Sequence, residues 1–298
     1  MPVITPCVWF DHQAEEAMAF YTSIFDDSRI GHVERYPDES LDPHFAGMSG
    51  KVIMGSFELC GQPFLCLDGG PLFPINPAIS FYCTFDHHAA IESAWQRLSE
   101  DGKVLMEFQA YPWAPAYGWL QDRYGLSWQL ALTADGDRPP QRITPMLMFT
   151  GPAAGRAEQA MGDYTTLFHD SGIDALVAYD EGDGDTPGLV KHARFHVGDN
   201  HFMAMDSTHP HDFTFSEAIS LFVSCHDQAE IDRYWNTLTA GGGSESQCGW
   251  CKDAFGVSWQ IIPANMGTLL SAGPAAVQAM MNMRKINIGE LERAGREQ

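Results

Sequence analysis

Two stretches decide the fold: AISFYCTFDHHAAIESAWQRL, which begins at Ala78, and AISLFVSCHDQAEIDRYWNTL, which begins at Ala218. They match at an offset of 140 residues. ITPCVWF from Ile4 matches ITPMLMF from Ile143 at 139, and YGLSWQL from Tyr124 matches FGVSWQI from Phe255 at 131. A near-constant offset means one unit written twice. The fall in the last offset places a deletion before the second SWQ segment, where the first copy carries the longer MEFQAYPWAPAYG. This division gives a first domain over 1–135, a linker over 136–141, a second domain over 142–264 and an extension over 265–298. The linker lies in ADGDRPPQ, whose Gly, Pro and Asp content suits a connection.

Each copy divides again. In the first, strand-like segments at 4–10, 32–36, 52–59 and 64–67 surround a helix over 14–25, which carries Met18, Tyr21 and Phe25 at helical spacing. A strand at 79–85, a helix at 89–98 and strands at 103–110, 119–122 and 127–132 repeat that order. The pattern βαβββ thus occurs four times. Gly61-Gln62 and Asp199-Asn200 are expected to form tight hairpin turns. In the extension, Pro first and Arg-Lys last mark a helix over 274–285, with a second short helix over 288–294. Val277, Met280, Met281 and Ile286 form a stripe expected to pack on the body.

Composition narrows the partners. The 298 residues carry a formal charge of −22, and both copies share it: residues 1–140 carry −12 and residues 141–264 carry −11. Such a surface repels phosphate backbones and anionic membranes, so neither nucleic acid nor a membrane is an expected partner. No apolar run reaches the ~18 residues that span a bilayer. The N-terminus has no basic segment ahead of an apolar one, so no secretory signal is expected there. Seven cysteines cannot all pair, and Cys66, Cys83 and Cys225 lie in apolar runs, which suits a reducing cytoplasm.

The modules and motifs resemble one family. CGWCKDAFGVSWQIIP from Cys248, ITPCVWFDHQAEEAMAFYTSIF from Ile4 and AMMNMRKINIGELERA in the extension resemble the PhnB-like branch of the vicinal oxygen chelate (glyoxalase, bleomycin resistance and dioxygenase) superfamily. That branch is often labelled 3-demethylubiquinone-9 3-methyltransferase. The first copy departs from the signature at YGWLQD (117–122), and the second departs at Cys251. The resemblance implies an α+β fold: two glyoxalase-like domains, each a curved eight-stranded cup with helices outside, plus a helical tail. It also implies that the duplication supplies, within one chain, the pairing other members obtain from two, as a pseudo-dimer that can associate further.

Metalloenzymes of the superfamily bind a divalent ion through His and Glu at four cup-facing strand positions. Alignment carries these onto Pro6, Cys66, Ser80 and Gln129 in the first copy, and onto Pro145, Ala204, Ser220 and Gln260 in the second. Pro and Ala have no donor, and Ser and Gln are weak neutral ligands, so no metal and no other cofactor is expected. The expected function is binding of a small molecule in a cup, with no reaction assigned. The candidate lining residues are Ser80, Tyr82, Trp119 and Gln129 in the first copy, with Ser220, Phe222, Cys248, Trp250 and Gln260 in the second. They place polar groups beside aromatics on one strand face. The second copy keeps the signature better and is expected to be the functional one. Two alternatives are a metal-dependent lyase, isomerase or dioxygenase with relocated ligands, and a non-catalytic interaction module.

Other constellations carry less. ALVAYDEGDGDTPG from Ala175 imitates the glycine loop of S-adenosylmethionine methyltransferases, but such a loop must open a helix. The alternating LVKHARFHV that follows reads as a strand, so the loop is expected to be an acidic hairpin and the methyltransferase label lacks support. Cys248-Gly-Trp-Cys251 has CxxC spacing in a strand-like context, where residues three apart point to opposite faces. His192 and His196 share a strand face, but a surface role suits them better than a metal site. There is no GxSxG elbow and no P-loop.

Overall fold

The computed structural model describes residues 3–38, 46–133 and 142–296. The expected linker at 136–141 lies outside the described residues. Four modules follow one another. The first holds β1 (Val3–Phe10), α1 (Ala14–Thr22), β2 (Arg29–Arg35), β3 (Val52–Leu59) and β4 (Gln62–Asp68). The second holds β5 (Ile79–Phe85), α2 (His88–Ser99), β6 (Lys103–Tyr111), β7 (Ala114–Gln121) and β8 (Ser127–Leu132). The third holds β9 (Ile143–Phe149), α3 (Ala157–Leu167), β10 (Ser171–Ala178), β11 (Val190–Val197) and β12 (Asn200–Asp206). The fourth holds β13 (Ile219–Cys225), α4 (Gln228–Leu238), β14 (Ser244–Glu245), β15 (Trp250–Lys252) and β16 (Ser258–Pro263). Helices α5 (Met266–Leu270), α6 (Pro274–Met281) and α7 (Ile288–Arg296) complete the extension.

The strands form two eight-stranded sheets, ordered β14-β15-β16-β13-β1-β4-β3-β2 and β10-β11-β12-β9-β5-β8-β7-β6. Their number and size match the expectation, but their membership crosses the repeats: each sheet joins one module from each copy. In every module the first strand lies at an edge and leaves its backbone groups open to another strand. Antiparallel pairing of β1 with β13 and of β5 with β9 covers all four such edges, with Cys7 opposite Ser220 and Ser80 opposite Met146.

Alternation then sorts the side chains. Trp128 and Leu130 on β8, and Trp259 and Ile261 on β16, join Phe81, Leu221, Tyr21 and Tyr164 in one continuous core beneath the helices. Ser127 and Gln129, with Ser258 and Gln260, take the opposite face, the inside of each cup. Both faces of β8 and β16 are buried, so these strands read as unbroken apolar runs with only a few polar residues.

Two kinds of buried carboxylate tie each repeat together. Asp68 accepts from the backbone N–H of Ala14 (2.8 Å) and Val52 (3.0 Å), and Asp206 accepts from Ala157 and Val190, both at 3.1 Å. Each thereby satisfies an orphan donor at a helix N-terminus that the preceding Gln13 or Arg156 side chain leaves uncapped. Asp122 and Asp253 are more heavily used. Asp253 accepts from Tyr164 Oη (2.6 Å), Trp259 Nε1 (2.8 Å), Phe255 N (2.9 Å) and Val257 N (3.0 Å). Asp122 repeats this with Tyr21, Trp128, Tyr124 and Leu126. The Asp and Trp of the KDxFGxSWQ signature therefore fasten one module's helix to the next module's last strand.

The hairpin turns fall one residue earlier than expected. Leu59 pairs with Gln62 and Val197 with Asn200, so the turns are Cys60-Gly61 and Gly198-Asp199. Cys60 and Gly61 have φ of 50° and 81°, the positive values that a two-residue hairpin turn demands. The acidic loop does join two antiparallel strands, β10 and β11, as its sequence implied.

Candidate functional site: the insides of the two cups

In the second sheet, Gln129 Nε2 donates to Ser80 Oγ (2.9 Å), and Tyr117 Oη donates to Gln129 Oε1 (2.8 Å). Trp119 Nε1 donates to Ser127 Oγ (2.8 Å). The polar groups of the SWQ strand are thus partnered across the sheet, as burial requires. Above this floor Tyr82 leans on Tyr117, with ring centroids 6.4 Å apart. Tyr111 stacks on Trp113 at 4.8 Å, and Trp113 meets Tyr117 edge-on at 5.7 Å. Tyr82, Tyr111 and Tyr117, with Ala114, Ala131, Met106 and Trp119, form an apolar cluster separate from the main core. Trp113, at the tip of the long β6–β7 hairpin, is 60% exposed.

The third module supplies the rest of this cup. Met146 stands opposite Ser80, and Met203 stands opposite Met146. Farther out, His192, Arg194 and His196 share a face of β11, and Asp174 Oδ1 lies 2.7 Å from His196 Nδ1. Burial, and then the Arg194 charge, hold His192 below the usual imidazole range.

The first sheet repeats the floor with a different superstructure. Gln260 Nε2 donates to Ser220 Oγ (2.9 Å). Cys7 lies beside both side chains, and burial pushes its thiol up to about 12. Trp250 turns toward Trp9 (6.0 Å), which packs on Phe73 and donates to the Gly70 carbonyl at 2.8 Å. Phe222 and Ile262 pack against Leu269, Met283, Ile286 and Leu291 of the extension. Cys248 lies under α6, its thiol directed at the Met280 carbonyl oxygen (3.7 Å). The extension thus covers the fourth module's side of this cup, where β14 and β15 are short.

All nine candidate residues are therefore placed, but in two groups of different character. Ser80, Tyr82, Trp119 and Gln129 lie together in the second sheet. In the first sheet Ser220, Gln260 and Trp250 lie together, Phe222 belongs to the contact with the extension, and Cys248 is held by α6. Division by copy does not describe the cups, because each contains modules from both. Cys7, Tyr117, Met146 and Met203 were not among the candidates. For Cys7 and Met146 the repeat carries the signal, since they occupy equivalent positions.

The register also corrects the alignment of the metal positions. Pro6 and Pro145 lie one residue from the cup-facing Cys7 and Met146. Cys66 and Ala204 belong to the core beneath the helices, beside the cup-facing Leu65 and Met203. The two quartets are Cys7, Leu65, Ser220 and Gln260, and Met146, Met203, Ser80 and Gln129. A protonated thiol, a hydrocarbon, two thioethers, hydroxyls and amides do not fit a divalent ion that wants imidazole and carboxylate. Among the described residues, no three of His, Cys, Asp and Glu come together in a metal-binding group.

Paired βαβββ modules across an eight-stranded sheet, with site positions on its helix-free face, define a vicinal oxygen chelate protein of the glyoxalase type. The family model described as 3-demethylubiquinone-9 3-methyltransferase matches residues 2–131 and 141–262, and the chain belongs to that family, as a tandem duplication. A Bacillus cereus protein described as a putative 3-demethylubiquinone-9 3-methyltransferase, PhnB protein, is 41% identical over 43% of this chain and 98% of its own, with a TM-score of 0.40. Glyoxalase I from Zea mays is 13% identical over 87% of this chain and 92% of its own (TM-score 0.55). A putative dioxygenase from Bacillus subtilis is 11% identical over 97% and 94% (TM-score 0.51). The last two show the fold. No curated protein matches the chain.

Proposed function

We propose that the protein binds a small, flat molecule with an apolar face in the cup of the second sheet, without a metal ion. One observation carries this reading. Tyr111, Trp113 and Tyr117 pack ring on ring outside the main core, and the outermost, Trp113, is 60% exposed. Exposed aromatics beside a concave face with a few fixed polar groups suit ligand contact. The Ser80–Gln129–Tyr117 chain is uncharged, which supports recognition of a neutral or weakly polar group. The repeat boundaries at 1–135 and 142–264, and a reducing cytoplasmic setting consistent with seven free cysteines, belong to the same reading. Among the described residues no doubly wound sheet and no glycine loop opening a helix supports methyl transfer.

The test is a thermal-shift screen of planar heteroaromatic compounds, followed by titration. Trp113→Ala should weaken hits about tenfold, or about 1.4 kcal/mol, while Trp250→Phe in the other cup leaves them unchanged. Hits indifferent to Trp113→Ala would sink the proposal.

A further inference from the structure

The two repeats also differ on the side away from the cups. Between α3 and α4 of the second repeat runs a groove of about 560 Å³, floored by Tyr164 and Phe255. In the first repeat the corresponding space is bridged. Arg97 donates through Nη2 to Ser23 Oγ (2.6 Å) and through Nη1 to the Ser23 carbonyl. Arg123 pairs with Glu100 (2.9 Å), and Tyr124 Oη donates to Glu16 (2.8 Å). At the equivalent positions the second repeat has Thr237 and Thr166, Ala254 and Ala240, and Phe255 and Gln159. Every bridge is lost, and the two carboxylates of those bridges are lost with them.

Cationic and imidazole side chains stand in their place. Gln13 and Ser93 of the first repeat correspond to Arg156 and Arg233, and Asp26 corresponds to His169. Arg156 lies over the Phe255 ring (4.3 Å) and donates to the Ala254 carbonyl (2.7 Å). Arg233 lies 2.7 Å from His169 Nε2, and its buried Nε has no hydrogen-bond partner. Among the described residues neither guanidinium forms an ion pair. In a chain of charge −22 with only 17 cationic residues, two arginines without a carboxylate partner thus face one groove. Of the acids on the groove, Asp253 is held by its four donors and Asp163 stands on the α3 wall.

We infer that this groove binds the oxyanion group, phosphate or carboxylate, of a small molecule between Arg156 and Arg233. Guanidinium donors in a fixed fork match either group. The site is distinct from the cup proposed above and stands or falls separately.

Titration of the full chain with inorganic phosphate and with citrate tests it, by calorimetry without added salt, where exposed charges are least screened. Saturable binding of either anion is expected, and the stronger of the two identifies the group. Ala240→Glu combined with Ala254→Arg rebuilds the bridge of the first repeat across the groove. It should weaken binding at least about tenfold while far-UV dichroism stays unchanged. Arg233→Gln, which adds no bulk, should do the same, and Trp113→Ala should have no effect. Failure of both anions to bind at about 20 mM, a level at which even weak sites of millimolar Kd fill, overturns the proposal. So does binding that survives the rebuilt bridge or Arg233→Gln.

Discussion

Asp253→Asn tests the idea that the signature's aspartate is a structural fastener. The wild-type carboxylate accepts four hydrogen bonds at 2.6–3.0 Å from one hydroxyl, one indole and two backbone N–H groups. An amide of the same shape has one oxygen. If that oxygen keeps the backbone pair, the NH₂ faces Tyr164 and Trp259. The Tyr164 hydroxyl can rotate and accept, but the Trp259 N–H cannot, and a buried unpaired donor costs about 1–3 kcal/mol. The two backbone bonds lose their charge assistance, about 1 kcal/mol each. Burial of the carboxylate opposes its ionisation and offsets part of this, holding Asp253 above the usual carboxylate range. A net loss of about 2–4 kcal/mol follows, a large share of the ~5–15 kcal/mol of an ordinary domain. At roughly 2–4 °C per kcal/mol, the melting temperature should fall by about 4–16 °C. Tyr164→Phe removes one donor and leaves the carboxylate three, so it should cost only about 1–3 kcal/mol. Urea unfolding followed by tryptophan fluorescence and far-UV dichroism measures both. An Asn variant within about 0.5 kcal/mol of wild type, the range of an ordinary surface change, would refute the fastener.

Three further outcomes follow from the fold. Ile286 is fully buried between the extension and the first sheet, so Ile286→Ala should cost about 2–5 kcal/mol in the same assay; a cost under about 1 kcal/mol, well below a buried truncation, would show that the extension is not seated. His192 has a folded pKa below its unfolded value because of burial and Arg194, so its contribution is present above the unfolded pKa and lost as pH falls from about 6.5 downward. His192→Gln should therefore flatten part of the loss of melting temperature between about pH 7 and pH 5, the remainder coming from His211, which burial also depresses. Residues 1–135 expressed alone would leave the edges of β1 and β5 open; light scattering should find them dimeric, and a stable monomer would contradict the crossed sheets.

The duplicated modules were legible because strand alternation and helical spacing are local, and because a repeat displays its own alignment. Which modules share a sheet was not, since the edge of β1 could have met β5 or β13 and both choices satisfy the same alternation. The site inherits that limit. The period of two puts Ser127 and Gln129 of the SWQ strand on one face, and the pairing of β5 with β8 brings Ser80 to the same face. Pro6 and Cys66 fall one residue off the cup-facing Cys7 and Leu65, because β1 and the inner half of β4 are apolar on both faces and give no parity to read. Cys248 looked like a partner of Trp250 by the same period, but its φ of 56° breaks the strand just before β15 and turns the thiol under α6. A positive φ at a non-glycine residue leaves no signal in a single sequence.

Joining two copies in one chain has a physical consequence that a symmetric pair of chains cannot have. In a two-fold homodimer the two cups are identical, and any change made in one is made in both. Here the equivalents have separated. Trp119 donates to Ser127, whereas its counterpart Trp250 turns to Trp9 and leaves the buried Ser258 Oγ without a hydrogen-bond partner. The long β6–β7 hairpin raises Trp113 over one cup, while the corresponding β14–β15 is cut short and the extension occupies the space it vacates. The asymmetry runs the same way on the helical side, where the bridges of Arg97 and Arg123 have no counterparts. Kept in both halves are the aspartates, with the same four donor types around Asp122 and Asp253, and the Ser–Gln pair on each floor. What the fold requires has stayed the same in both repeats, and what differs lies on the cup faces and the groove, where a ligand could reach it.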